Sequence, residues 1–183
     1  MRKNCVGLGV VALATGLLLS GCGATGGVSS TADKPGASDK EPAKASAKVG
    51  DAITLKGNKD GSKAVIVVKK VVDPTKSTDG FSKAASGMRY VAVQFQIKNT
   101  GTIPYEDSPS NGAKVADADG QQFDSTIVSS VKAGPILPAS VKLTPGGKAL
   151  GYVVFEVPTK SKVKAVQFGM DSGFGSSGEW VVK

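Results

Sequence analysis

The side chains that most often carry chemistry in enzymes are sparse in this 183-residue chain, and histidine is absent. Its absence excludes histidine general acid–base catalysis, Ser-His-Asp triads and histidine-ligated zinc. A lysine can also activate a serine, and two Ser-x-x-Lys spacings occur, Ser129–Lys132 and Ser161–Lys164. Enzymes that use this motif place the serine at the start of a helix, whereas both copies here lie in loop or strand patterns. The partner motifs of such enzymes, Ser-Asp-Asn and Lys-Thr-Gly, are also absent from the sequence. Chance explains both copies better than catalysis, and we expect no enzyme activity.

Acidic side chains cluster once in the second half of the chain, at Asp117, Asp119 and Asp124. Several oxygen ligands within one loop suit calcium, and a pair of carboxylates suits glycoside hydrolysis. The spacing departs from the EF-hand pattern, because Gly120 follows Asp119 directly and no glutamate closes the loop. Turn formation by Asp and Gly is the favoured explanation. The three aspartates are therefore only weak candidates for a metal site, and we expect no cofactor.

The most specific chemical pattern is Leu-Ser-Gly-Cys at residues 19–22, which ends a fourteen-residue apolar run from Val6 to Leu19. With the basic start Arg2-Lys3, this arrangement resembles the signal peptide and lipobox of a bacterial lipoprotein. The resemblance implies transfer of a diacylglyceryl group to the Cys22 thiol, followed by cleavage between Gly21 and Cys22. Acyl chains such as palmitate, at ~0.8 kcal/mol per buried CH₂, would then hold the protein on a membrane.

The alternatives to a lipoprotein signal are an ordinary secretory signal with a chance cysteine and a short membrane anchor. A spanning helix needs about 20 residues, so the length of the apolar run opposes the anchor. Cys5 lies inside the predicted signal, which leaves Cys22 as the single cysteine of the mature chain. No disulfide can form within that chain, and we expect the apolar core alone to hold the fold.

Residues 23–48 are rich in Gly, Ala, Ser, Lys and Pro, and Val28 is their single aliphatic residue larger than alanine. Such a composition predicts a flexible tether with a root-mean-square span of ~25–30 Å. Removal of residues 1–21 takes away Arg2 and Lys3 and lowers the net charge from +8 to +6. Phospholipid head groups and wall polymers are the anionic neighbours expected of an exported chain, but a solvated basic surface is the favoured explanation of the charge.

Beyond Val49, short apolar alternations separated by Gly, Pro, Asn and Asp predict antiparallel strands. In Tyr90–Lys98, apolar side chains occupy every second position, with Gln94, Gln96 and Lys98 on the other face. A second clear strand is Gly151–Val157. Weaker patterns predict strands at Ala52–Lys56, Ala64–Val72, Ala113–Asp117, Gln122–Ser125, Val163–Phe168 and Glu179–Val182. About eight short strands without a helical period indicate a β-sandwich.

The order of these segments is similar to that of a known family. It runs Val49-Gly-Asp51, Val71-Val-Asp-Pro74, Tyr90–Asn99, Val115–Gly120, Leu143-Thr-Pro-Gly-Gly147 and Tyr152–Pro158. It resembles the immunoglobulin-like domain of unknown function found in many Gram-positive and actinobacterial lipoproteins, which is related in fold to a small secreted mycobacterial immunogenic protein. The resemblance implies an exported, often lipid-anchored module with no assigned catalytic residues.

Two loops are the best candidates for recognition. The first, Pro74–Gly87, carries Phe81 and Lys83, and the second, Ile127–Ser140, carries Ile136 and Leu137 between prolines. Apolar residues in such loops form either an interaction patch or a cover over one end of the sandwich. Aromatic residues do not alternate with basic ones, so a nucleic-acid platform is not expected.

The sequence therefore predicts an all-β chain with three parts: a lipoprotein signal at 1–21, a lipidated cysteine and linker at 22–48, and an immunoglobulin-like sandwich at 49–183. We expect a non-catalytic interaction module on the extracytoplasmic side of a cell membrane. Its expected partners are membrane lipid, through the acylated Cys22, and an envelope protein or polymer. The alternatives are a small-ligand receptor and an envelope hydrolase that uses carboxylates or a Ser-Lys pair.

Overall fold

The structure is a computed structural model that describes residues 47–183. The predicted signal, the Gly21–Cys22 cleavage site and all but the last two residues of the predicted linker lie outside the described residues. The strands are Ala47–Lys48 (β1), Ala52–Lys56 (β2), Lys63–Thr75 (β3), Met88–Asn99 (β4), Tyr105–Asp107 (β5), Ala113–Asp117 (β6), Gln122–Thr126 (β7), Val141–Leu143 (β8), Lys148–Pro158 (β9), Val163–Gly169 (β10) and Ser177–Val181 (β11). A short helix, α1, spans Pro109–Gly112, and a 3₁₀ turn spans Asp171–Gly173.

The strands form the two layers of a β-sandwich, which confirms the predicted fold class. One layer has the order β1-β11-β10-β6-β7, and the other has the order β7-β9-β4-β3-β2. Strand β7 belongs to both, because its first half pairs with β6 and Ser125 and Thr126 pair with β9. At the other side of the sandwich, β11 of the first layer contacts β2 of the second. Gly178 of β11 packs so closely on the Ile53 side chain of β2 that an added Cβ would lie 2.9 Å from it.

The core lies between the layers and follows the predicted period of two. Val91, Val93, Phe95 and Ile97 of β4 are fully buried, while Gln94, Gln96 and Lys98 alternate with them on the outer face. The rings of Phe95 and Phe168 connect the two layers, with centroids 5.3 Å apart. The predicted strands at Ala52–Lys56 and Ala113–Asp117 have the observed bounds, and the other predicted strands lie within one to three residues of theirs.

Three strands and the helix were not predicted. Strand β1 is two residues long, and β5 and β8 are three residues each and pair only with one another. Runs this short contain too few side chains to show an alternation. Leu143, the first residue of the Leu143–Gly147 segment, is the last residue of β8, and the turn covers residues 144–147.

One buried carboxylate joins β5 to the 3₁₀ turn. Asp107 Oδ1 accepts hydrogen bonds from the backbone amides of Ser108 (2.7 Å) and Ser172 (2.8 Å) and from the Ser172 hydroxyl (3.1 Å). Asp171 and Ser172 have φ angles of 52° and 57°, which non-glycine residues rarely adopt. Asp107 therefore stabilises a strained turn far away in the sequence. Within residues 47–183, no helix has the length and apolar character needed to cross a membrane.

Candidate functional site

A second apolar cluster lies on the outer face of the sheet, where the two candidate loops cover strands β4 and β9. The sheet contributes Tyr90, Ala92, Tyr152 and Val154, and the second loop contributes Val128 and Val131. This explains why Tyr90 and Ala92 are buried although they point away from the main core. Covering the outer face of the sheet is thus one role of these loops.

The two candidate loops are bonded to each other, and we call residues 74–87 and 127–140 together the loop pair. Ser77 and Val131 form an antiparallel bridge, and the amide of Lys132 donates to the carbonyl of Lys76 at 2.9 Å. The hydroxyl groups of Thr78 and Ser130 lie 2.8 Å apart. Two segments that are separated by forty residues in sequence therefore form a single surface.

The base of the first loop is held by Arg89. Its guanidinium binds both carboxylate oxygens of Asp73, at 2.6 and 2.8 Å, and donates to the carbonyls of Pro158 and Ser161. Because this ion pair is bidentate and only partly exposed, it fixes the geometry more firmly than a single surface contact would. The Asp73 carboxylate raises the pKa of Arg89, so the arginine is always charged.

Phe81 stands at the tip of the first loop with 94% of its surface exposed. The Asp79 carboxylate accepts hydrogen bonds from the amides of Phe81 (2.9 Å) and Ser82 (2.7 Å) and from the Ser82 hydroxyl (2.7 Å). The bonds from Ser82, together with the one from Phe81, hold the pKa of Asp79 well below its usual range. An ionised aspartate thus fixes the backbone that presents an exposed aromatic ring.

Ile127 is the corresponding residue of the second loop, with 99% of its surface exposed. It lies on the rim of a groove of about 580 Å³ between β7, β9 and residues 136–139. The floor of the groove is apolar and includes Val128, Ile136 and Val154, while Ser and Asn side chains from the α1 region line one wall. The arrangement can accept an apolar group without burying a charge.

The predicted site residues of these loops divide into two classes. Phe81 and Lys83 are exposed, and Ile136 is half-buried in the groove. Leu137, by contrast, is 6% exposed and packs in the main core, where its amide donates to the carbonyl of Tyr152 at 2.9 Å. Leu137 is thus mostly buried, although it also lines the groove beside Ile136. Ile127 was not singled out, because the sequence does not show which apolar residue of this loop turns outward.

The three candidate aspartates do not form one site. Asp117 accepts hydrogen bonds from the amides of Asp119 (3.0 Å) and Gln121 (2.9 Å), as expected of a turn. Burial alone would raise its pKa, but the hydrogen bonds from Gln121, the Ser161 side chain and Asp119 outweigh that effect and lower it. Asp124 instead pairs with Lys114, directly opposite on the neighbouring strand. Among residues 47–183, no three Cys, Asp or Glu side chains are grouped as metal ligands would be.

The two Ser-x-x-Lys pairs also lack the setting that serine enzymes use. Ser129 and Lys132 lie in the second loop, whereas Ser161 precedes β10 and Lys164 lies within it. Neither pair begins a helix, and no hydrogen bond joins serine to lysine in either of them within the described residues. The geometry thus offers no positioned lysine amine for either hydroxyl.

We predict that Asp79→Ala loosens the tip of the first loop without changing the melting temperature. Loss of the three hydrogen bonds to a charged acceptor should speed amide exchange at Phe81 and Ser82 by about tenfold or more. Because folding lowers the pKa of Asp79, its ionisation stabilises the loop at neutral pH, and this contribution declines only as the pH falls below the usual value of 3.8. The loop should therefore remain ordered at pH 4.

Amide exchange measured by NMR tests this prediction, with Asp60→Ala, in another exposed loop, as the control. Equal exchange at Phe81 and Ser82 in the wild-type protein and Asp79→Ala would contradict the assigned role of the carboxylate.

A family model described as "Domain of unknown function (DUF4352)" matches residues 57–179, which is about two thirds of the chain. The chain belongs to the DUF4352 family. The matched region contains both loops, the groove and most of the sandwich. Membership confirms the family resemblance seen in the strand and turn segments, and it assigns no activity. No curated protein matches this chain significantly.

Solved structures with the same architecture resemble this DUF4352 domain at low sequence identity. The secreted Mycobacterium tuberculosis protein MPT63 is 17% identical over 75% of this chain and 96% of its own, with a TM-score of 0.55. The Bacillus subtilis yjhA protein is 13% identical over 73% of this chain and 98% of its own, with a TM-score of 0.49. The likeness to MPT63 supports the fold.

The Bacillus subtilis ycdA protein, described as a candidate lipoprotein, is 14% identical over 68% of this chain, with a TM-score of 0.47. The DUF4352 chain spans only 39% of the length of ycdA.

Proposed function

We propose that this protein is a lipid-anchored extracytoplasmic lipoprotein whose sandwich domain binds a protein partner through the loop pair, without catalysis. The observation that carries the proposal is the near-complete exposure of Phe81 and Ile127 on loops that are bonded to each other. Three other large apolar side chains are exposed among the described residues, and none of them belongs to the loop pair.

Exposed apolar side chains favour binding when the backbone that presents them is already ordered. Burying a phenylalanine or isoleucine on a partner is worth about 1.5–3 kcal/mol each. A mobile loop would lose part of this gain to conformational entropy. Asp79 fixes the backbone at Phe81, and the bridge at Val131 fixes the two loops together, so less entropy is lost on binding.

The location rests on the sequence at Cys22. A thiol preceded by Leu-Ser-Gly and a short apolar run fits lipid attachment, and the absence of a possible disulfide fits a mature chain with one acylated cysteine. A secreted relative in fold, MPT63, agrees with export of this chain.

The groove supports a second candidate function, the binding of a small apolar ligand. Its volume of about 580 Å³ falls within the range of small-molecule sites, and its lining combines apolar side chains with a few polar groups. Phe81 does not line the groove. Binding of a small ligand in the groove therefore gives the exposed Phe81 no role. We rank this function second.

Crosslinking in intact cells tests the proposal with the double variant Phe81→Ser and Ile127→Ser. We expect the wild-type protein to yield one abundant crosslinked partner and the double variant to lose at least nine tenths of it. Phe174→Ser is the matched control, because Phe174 is 85% exposed but lies next to the 3₁₀ turn. Recovery of the wild-type protein without a partner, or equal recovery from the double variant, would contradict the proposal.

A further inference from the structure

Four lysines lie on the outer face of the sheet beyond the loop pair, in two pairs that are offset by two residues along the strands. Strands β9, β4, β3 and β2 are consecutive neighbours, and each contributes one of them: Lys148, Lys98, Lys63 and Lys56, respectively. We call these residues the lysine face. Adjacent strands lie ≈ 4.8 Å apart, so the four side chains span only about 15 Å.

Strand register places these lysines in two directly opposed pairs. Lys56 is opposite Lys63, and Lys98 is opposite Lys148. The outward direction follows from their neighbours, since Leu55, Ala64 and Ile97 are buried in the core. Like charges directly opposite each other destabilise a sheet. Two such pairs side by side are therefore unfavourable in the isolated domain.

No carboxylate among residues 47–183 forms an ion pair with the lysine face. The ion pairs of residues 47–183 join Arg89 to Asp73, Lys114 to Asp124 and Lys142 to Glu106. The outward positions beside the four lysines on the same strands are Thr54, Val65, Gln96 and Leu150. Leu150 is 57% exposed, and Lys148 lies two residues before it on β9. The exposed Leu150 thus lies beside Lys148 on its own strand and diagonally across from Lys98 on β4.

We propose that the lysine face binds an anionic phospholipid surface. Lysines on a broad sheet face can contact several head groups at once, and an exposed leucine among them can enter the boundary with the acyl chains. Anionic head groups also remove the repulsion within each lysine pair. The inference rests on the proposed membrane location, but it concerns the other end of this outer face, beyond the part that the loop pair covers.

The test uses the mature chain with Cys22→Ala, so that no lipid anchor contributes to binding. Cosedimentation is measured with vesicles of phosphatidylcholine and phosphatidylglycerol in a ratio of about two to one, and with phosphatidylcholine alone. We expect binding to the mixed vesicles only. A lysine near an anionic surface contributes about fivefold, so Lys98→Gln with Lys148→Gln should weaken binding by roughly 25-fold.

The matched control is Lys160→Gln with Lys162→Gln, which removes the same charge from an exposed loop. This pair should change vesicle binding by less than about twofold. Leu150→Ser should weaken it severalfold. The Phe81→Ser and Ile127→Ser variant should bind vesicles like wild type, so that failure of the loop proposal is distinguishable from failure of this one.

Three results would overturn the inference: no binding to mixed vesicles, equal losses in the two lysine pairs, or binding of soluble polyphosphate without binding of vesicles. Removal of the opposed pair is also expected to leave the melting temperature unchanged or higher. A loss of vesicle binding in the Lys98→Gln and Lys148→Gln protein, with an unchanged melting curve, therefore comes from the missing charges and not from unfolding.

Discussion

Replacing Cys22 by alanine abolishes lipid labelling of the protein if the proposed anchor is correct. The chain has two cysteines, and Cys22 is the one that follows Leu-Ser-Gly. Cells grown with an alkyne analogue of palmitate should label the wild-type protein strongly, and Cys22→Ala should fall to background. Without acyl chains, each of which adds ~0.8 kcal/mol of membrane affinity per buried CH₂, no lipid anchor holds the chain.

The matched control for this experiment is Cys5→Ala. Cys5 lies within the predicted signal and would be removed with it, so this variant should keep the label at the wild-type level. Intact mass measurement of the purified protein adds a second criterion, because the lipidated mature chain should begin at Cys22. Labelling that survives Cys22→Ala, or that is lost in Cys5→Ala, would contradict the assignment of the anchor.

Replacing Trp180 by alanine is expected to produce the largest loss of stability among single substitutions in the sandwich. Trp180 is fully buried, and its Nε1 donates to the carbonyl of Asp51 at 2.9 Å, just before β2 begins. The residue thus joins β11 of one layer to the start of β2 in the other. Truncation of a buried tryptophan lowers the free energy of unfolding by about 3–5 kcal/mol, or roughly 10–20 °C in melting temperature.

Trp180→Phe distinguishes the contribution of the buried apolar volume from that of the hydrogen bond to Asp51. Phenylalanine keeps much of the apolar volume but loses the hydrogen bond and leaves the Asp51 carbonyl unpaired, so we expect about half of the destabilisation seen with alanine. Circular dichroism gives both melting curves. A loss below about 1 kcal/mol in Trp180→Ala would contradict the assigned position of this side chain in the core.

The strands were predictable where one face of the strand is buried and the other face is exposed to solvent. In β4 the alternation of Val91, Val93, Phe95 and Ile97 with polar residues gives both the strand and its orientation. The pairing of β5 with β8 was not predictable, because three-residue strands carry no period and their partners lie far apart in sequence. Tertiary contacts, which local patterns do not contain, determine such elements.

The site was predictable only in part. The sequence identifies both loops from their Pro and Gly content, and Phe81 from its polar surroundings. It does not reveal that Ser77 pairs with Val131, which makes one surface of two loops. It also does not separate Ile127, which turns outward, from Leu137, which turns inward, because both follow the same apolar pattern. The lysine face likewise depends on the register of four strands.

The most direct test of the interaction surface is a contact map in intact cells. A photocrosslinking residue is placed in turn at positions 81, 127 and 174, which are all highly exposed. We predict that positions 81 and 127 crosslink to the same partner and that position 174 does not. Crosslinks at position 174 alone, or different partners at positions 81 and 127, would contradict a single binding surface on the loop pair.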